Sequence, residues 1–267
     1  PKVFASLMLV IAVSPMLAPT AGGYLIEGLG WKYVFVFLAL MGVFLLLATY
    51  FLLPESYKPD PEYSLKPGPM IKKFQTVLIE PQFYTYALIT SLSFAGLFTY
   101  ISASPMIFMN LYGVSKTDYG WIFALLSAAF IGSSQVNRLI LRWHTSKKIV
   151  KWALIAQGMV SLLFLLAALN NLLNLYSTIA FIALFLSCLG LINPNAAALS
   201  LAPFSKNAGS ASALMGALQM GLGALASFAV SFFPENSVLP MPLIMSAAIG
   251  IALLILWTGN KTRAVKF

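Results

Sequence analysis

The side chains able to do chemistry in this chain are few, and nearly all are neutral. Asn193 and Asn195 flank Pro194 inside an apolar run, and Gln135, Asn137 and Gln219 sit in similar surroundings. An amide in an apolar run must find a hydrogen-bond partner, because lipid offers none. Residues two apart on a helix are separated by about 200°, so Asn193 and Asn195 cannot share a face. Either one points to a central cavity while the other enters a helix contact, or both are satisfied in packing. A second group is aromatic. Phe94 and Phe98 lie four apart on one helical face, Tyr100 follows, and Ser91, Ser93, Thr99 and Ser102 add small polar groups. An apolar, aromatic cavity with a few polar groups suits a large lipophilic ligand; the same rings equally suit lipid contact or bundle packing. Tyr84 and Tyr86, near the start of that run, read as interfacial belt residues.

What is missing is as informative. Glu27, Glu80, Asp118 and Glu235 lie at the edges of apolar runs or in loops, and no acid lies deep within one. A buried carboxylate is the usual proton relay of a pump, and this segment offers none. No phosphate-cradling G-x-x-x-x-G-K, metal-ligand cluster or Ser/His/Asp set occurs. Cys188 is the single cysteine, so it closes no intrachain disulfide. His144 sits in a basic loop and reads as solvated. An enzymatic or ATP-driven activity therefore has no residues to rest on, and no cofactor is expected.

The elements that position these residues follow from composition. Of 267 residues, 60% are hydrophobic and 9% charged, and the mean hydropathy is +0.89. A soluble domain runs near 45–50% apolar and about 25% charged, so too few charges exist here to cover a soluble surface. The expected class is an all-α polytopic membrane protein, with the lipid bilayer as its first partner. Crossing the hydrocarbon takes about 20 apolar residues. Eight stretches qualify, at 4–25, 31–53, 83–108, 119–139, 149–169, 176–201, 210–232 and 240–258. The one long connector, 54–82, carries six prolines and eight charges, which is the composition of a linker. The domain expectation is therefore 1–53, a linker over 54–82, and a six-helix bundle over 83–267.

Orientation follows from the basic residues. Counting Lys and Arg in alternate loops puts 14 on one side and 2, Lys32 and Lys116, on the other. The excess marks the cytoplasmic face, so both termini and the linker are expected there. The net charge of +9 is thus a matter of topology, and no nucleic-acid partner is implied. Pro1 is followed almost at once by a span, without a signal peptide, so the expectation is that an N-terminal portion precedes this sequence.

The first span carries the sharpest pattern, Ser14-Pro15-Met16-Leu17-Ala18-Pro19-Thr20-Ala21-Gly22-Gly23. Ser14, Ala18 and Gly22 form a small-residue stripe that admits a second backbone closely, and Pro15 and Pro19 bend the helix. That suits a packing joint between mobile parts, or ordinary membrane helix packing. The seventh span has a matching stripe, Gly209, Ala213, Ala217 and Gly221, and its Ala211-Ser212-Ala213-Leu214-Met215 echoes Ala5-Ser6-Leu7-Met8. Parallel repeats of six spans are a transporter signature. With two spans before the linker and six after it, four are unaccounted for.

The segment Ser14 to Gly23 resembles the antiporter motif G-x-x-x-G-P-x-x-G-G of the fifth helix of the major facilitator superfamily. Pro19, Gly22 and Gly23 match directly, and Ser14 and Ala18 replace the first two glycines. The form S-P-x-x-A-P-x-x-G-G is similar to the bicyclomycin/chloramphenicol-resistance (Bcr/CflA) branch of drug–proton antiporters. Gly30-Trp31-Lys32 with Phe35 resembles that branch's entry to helix six. Phe94 to Pro105, then Tyr112-Gly113-Val114-Ser115, resembles helix seven. Asn193-Pro194-Asn195-Ala196 resembles helix ten, and Gly209 to Leu214 helix eleven. The resemblance implies helices 5–12 of a twelve-helix fold, with proton-coupling carboxylates in earlier helices.

The functional expectation is a secondary active transporter that exports lipophilic drugs or other small molecules across the inner membrane by proton antiport. Its alternative is a facilitator-fold carrier for one metabolite, such as a sugar, amino acid or siderophore; a non-transporting membrane scaffold is a third reading. The antiporter motif would be Ser14, Pro15, Ala18, Pro19, Gly22 and Gly23. The substrate-cavity candidates are Phe94, Phe98, Tyr100, Gln135, Asn193, Asn195 and Gln219. No metal is expected.

Overall fold

The computed structural model describes residues 22, 24–26, 28–54, 67–204, 207–233 and 237–264. Among them every regular element is a helix. The elements are α1 (Lys32–Leu52), α2 (Pro67–Ile79), α3 (Pro81–Pro105) running on through a π-helical turn (Met106–Leu111), α4 (Lys116–Ile140), α5 (Ser146–Leu169), α6 (Leu175–Leu201), α7 (Ala208–Val230) and α8 (Pro240–Ala264). Seven of these, all but α2, are long and apolar enough to cross a membrane. The chain divides into two compact units, Pro1–Met70 and Ile71–Phe267. In the first, α1 is a 21-residue helix of near-continuous Leu, Phe and Val, about 31 Å long at about 1.5 Å per residue. The expected first span lies outside the described residues apart from its last turn.

The second unit is a bundle built around α3 and α6. α3 packs along α6, α7 and α8; α5 packs on α6 and α8; and α4 packs on α6. Start signals in the sequence fix the helix ends. Glu80 caps α3 through the backbone N–H of Gln82, with Pro81 in the first turn, where its missing N–H costs nothing. Ser115 caps α4 by accepting from the Asp118 N–H at 3.1 Å. Asn174 and Ser177 close a capping box on α6, so two otherwise orphaned N–H groups are satisfied reciprocally. Between α5 and α6 the chain turns at Asn171, with φ of 53°, a left-handed position that Asn tolerates. Pro105 removes the bond that the Ile101 carbonyl would accept, and the Ser104 hydroxyl donates to that oxygen at 3.5 Å.

The segment 54–82 is more than a linker. Its described part holds α2, and the reason is the placement of its prolines. Pro67 and Pro69 fall in the first turn, where the helix has no internal N–H bonds to lose, and Met70 to Ile79 contains no proline. Val77 is fully buried with Phe83, Ala87 and Ala211, so the end of α2 is anchored against the starts of α3 and α7. Tyr86 also departs from expectation: it is buried in the main core cluster and is not a belt residue.

Candidate functional site

Three helices of the bundle converge on one polar cluster. The Thr90 hydroxyl of α3 donates to Asn193 Oδ1 of α6 at 2.7 Å. Gln219 Nε2 of α7 donates to the same oxygen at 3.3 Å and lies 3.4 Å from Thr90 Oγ1. Thr90 is fully buried, while Asn193 and Gln219 are half-buried. Thr90 lies nine residues from the start of α3, Asn193 eight from the end of α6 and Gln219 eleven from the start of α7. At about 1.5 Å per residue the three therefore meet about 12–17 Å in from one end of the bundle. On α3 and α6, about 38 and 40 Å long, that position lies within the span and nearer this end than the other.

An aromatic wall rises from this cluster. Thr90, Phe94 and Phe98 fall four apart, so they stack on one face of α3. The Phe94 and Phe98 ring centroids are 5.7 Å apart, and both rings are half-buried. α7 matches this face: Gln219 meets Thr90, and one turn on Gly223 lets the Phe98 ring lie directly on its backbone, where a Cβ would overlap the ring. A further turn on, the Ser227 hydroxyl donates to the Phe98 carbonyl at 3.3 Å.

Asn195 goes the other way, as its angular separation from Asn193 requires. Its Nδ2 donates to Asn137 Oδ1 of α4 at 2.7 Å and to the Leu191 carbonyl at 2.8 Å. Both amides are buried. One turn away, Gly190 packs against Ser133, Ser134 and the Phe130 carbonyl of α4. Asn195 and Asn137 are therefore a pin between α4 and α6, apart from the cluster that holds Asn193.

Two other candidates are also placed elsewhere. Tyr100 is buried on the side of α3 that meets α4, its ring stacked on Phe123 at 5.9 Å. It lies about 200° round the helix from Phe98. Gln135 is exposed on α4, on neither the Asn195 contact nor the Thr90 cluster. Of the antiporter motif only Gly22 is described, as part of a helix; Ser14, Pro15, Ala18, Pro19 and Gly23 lie outside the described residues. The second small-residue stripe, Gly209, Ala213, Ala217 and Gly221, is exposed on α7, and only Gly223 is used for close packing on α3. Thr90 was missed by sequence reasoning. Its available signal was its place one turn before Phe94.

The interior of this bundle is uncharged. Every buried polar side chain among the described residues is Thr, Ser, Asn, Gln or Tyr, and no group of acids, histidines and cysteines there could hold a metal. The arrangement can bind by neutral hydrogen bonds and aromatic contact; it offers no group for covalent or acid–base chemistry.

A family model described as Major Facilitator Superfamily matches residues 1–228. The chain is similar to a bicyclomycin resistance protein homolog of Haemophilus influenzae, with 25% identity over 95% of this chain and 63% of that protein. It is similar to an uncharacterized MFS-type transporter, YdgK, of Bacillus subtilis, with 30% identity over 93% and 62%. It is also similar to the multidrug resistance protein MdtL of Escherichia coli, with 26% identity over 82% and 54%. The chain thus spans between half and two thirds of the length of these relatives. A family match over most of its length, on a chain with seven helices long and apolar enough to cross a membrane among the described residues, identifies it as a member of the Major Facilitator Superfamily and a multi-pass membrane protein.

Proposed function

We propose that this protein is a secondary active transporter that exports lipophilic small molecules across the inner membrane in exchange for protons. The observation that carries the reading is the Thr90–Asn193–Gln219 cluster within the membrane span, continued by the Phe94–Phe98 wall. Polar groups at that depth are costly and mark ligand pathways, and a few such groups on an aromatic wall suit a lipophilic ligand. Two relatives named for drug resistance support export over import. Proton coupling rests on the antiporter-like segment Ser14 to Gly23, and the cytoplasmic position of both termini on the 14 to 2 division of basic residues.

The test is accumulation of a lipophilic fluorescent dye in cells that lack their major efflux pumps and express the full reading frame. Expression should lower accumulation, and a protonophore should restore it. Asn193→Leu should weaken export while the protein still reaches the membrane. Accumulation unchanged by expression would remove the export reading. Export that survives collapse of the proton gradient would remove antiport alone. Saturable uptake of one sugar, amino acid or siderophore would favour the metabolite carrier instead.

A further inference from the structure

An amide side chain carries an oxygen with two acceptor sites and a nitrogen with two donors. In the Thr90 cluster these are only half used. Asn193 Oδ1 is filled by Thr90 and Gln219, and Gln219 Nε2 is turned inward. Among the described residues no protein group bonds to Asn193 Nδ2 or to Gln219 Oε1. The cluster thus has one unspent amide nitrogen and one unspent amide oxygen, on two side chains that already touch. Rotating both amides by 180° preserves the result. Asn193 Nδ2 then bonds Thr90 and Gln219, and Asn193 Oδ1 with Gln219 Nε2 is left over. Rotating only one would set oxygen against oxygen or nitrogen against nitrogen, so the pairing itself fixes the complement.

We infer that Asn193 and Gln219 together recognise an uncharged edge carrying one donor beside one acceptor, so that the substrates are lipophilic molecules with a primary amide, lactam, imide or urea head. This deepens the transport reading above and rests on it. The neutrality of that edge follows from its partners, two amides and a hydroxyl with no buried charge beside them among the described residues, since an ion held by these groups alone is strongly disfavoured. The lipophilic body follows from the wall. Phe98 lies eight residues from Thr90 on the same face, about 12 Å up α3, so a body of about that length contacts both rings when its head is on the amides. Half-buried polar partners reject a ligand that leaves them unpaired far more strongly than an apolar pocket rejects a change of shape.

The experiment measures binding of three probes of equal framework to the full chain in lipid nanodiscs: 4-butylbenzamide, its N,N-dimethyl amide and the methyl ester. The primary amide should bind about tenfold more tightly than either of the others, the loss expected for one unpaired partner. Gln219→Leu should bring the primary amide down to the level of the ester with ester affinity changed less than about twofold, because the ester has no N–H to give Gln219 Oε1, whereas Asn193→Leu should weaken amide and ester together, because both accept from Asn193 Nδ2. The retained ester affinity of Gln219→Leu also reports that this variant is folded. Equal affinity for all three probes in the wild-type chain overturns the inference without any variant, and leaves a purely lipophilic site standing. Discrimination that persists in Gln219→Leu overturns it too, because the selection then lies elsewhere. Failure of all three probes to bind overturns the amide site, while dye accumulation judges the transport reading separately.

Discussion

The amides of α6 show how much one proline-flanked triplet determines. Asn193 and Asn195 were legible as groups needing partners, because neither can face lipid and they cannot face each other's way. Which faced the cluster was not legible, since that depends on the rotation of α6 within the bundle. Thr90 was hidden for a related reason. A helical Thr or Ser ordinarily satisfies itself on the preceding turn, as Ser91 does on the Ala87 carbonyl at 2.6 Å and Thr99 on that of Ala95 at 2.9 Å. Thr90 instead donates across to α6, and in its local sequence only its place one turn before Phe94 marks the difference. A prediction at this scale concerns the other amide pair. Asn195→Ala leaves Asn137 buried with its partner lost, and Asn137→Ala does the converse, so each should lower stability by about 1–3 kcal/mol. A double-mutant cycle on thermal unfolding in detergent should return a coupling of about 0.5–2 kcal/mol. A coupling near zero would mean that the pin between α4 and α6 is only apparent.

At the scale of elements, hydropathy located the spans well. The run 31–53 became Lys32–Leu52, 176–201 became Leu175–Leu201, and 119–139 became Lys116–Ile140. Length and apolarity suffice for that, because a helix is the one open-ended structure that satisfies its own backbone in lipid. Two features needed more than apolarity. α2 was obscured by a count of prolines that ignored where in the helix they fall. The inward placement of Tyr100 and Tyr86 was obscured because α3 is apolar or weakly polar on every side, so no stripe reveals its orientation. Close approach between helices was likewise only half readable: the small residues are visible in the sequence, but not which of them are used. Gly190 and Gly132 make a direct comparison. A Cβ at Gly190 would overlap Ser133 and the Phe130 backbone, whereas one at Gly132 meets nothing within 4 Å. Backbone cannot be repacked like a side-chain tip, so Gly190→Ala should push α4 from α6 and cost about 1–3 kcal/mol. Gly132→Ala should be neutral or stabilising by up to about 1 kcal/mol, since Ala is the better helix former. Thermal unfolding of the two variants side by side measures the difference in sign. Equal effects would show that the α4–α6 contact is looser than its geometry implies.

For the molecule as a whole, sidedness decides from which compartment the polar cluster is nearer. The bundle end that carries the starts of α3 and α7 and the end of α6 also carries the junction of α4 and α5. Arg138, Arg142, Lys147, Lys148 and Lys151 cluster at that junction, while Lys116 alone marks the opposite end of α4. Basic residues are held on the cytoplasmic side during insertion, so this end should be cytoplasmic and the cluster should lie about 12–17 Å from it. α5 gives a clean test. It runs 24 residues from Ser146 to Leu169, about 36 Å, so Thr145 before it and Asn171 beyond it must lie on opposite sides of the bilayer. Cys188 is half-buried in α6 and can be replaced by Ala, so that a single introduced thiol is the one that reacts. In intact cells a membrane-impermeant maleimide should label Asn171→Cys and leave Thr145→Cys untouched; in inverted vesicles the pattern should reverse. Labelling of both thiols from one side would break the crossing of α5 itself. The reversed pattern would keep the crossing but turn the bundle over, so that the amide cluster would lie nearer the outside. An exporter that collects its substrates from the cytoplasm would then have its neutral hydrogen-bonding groups on the side of release.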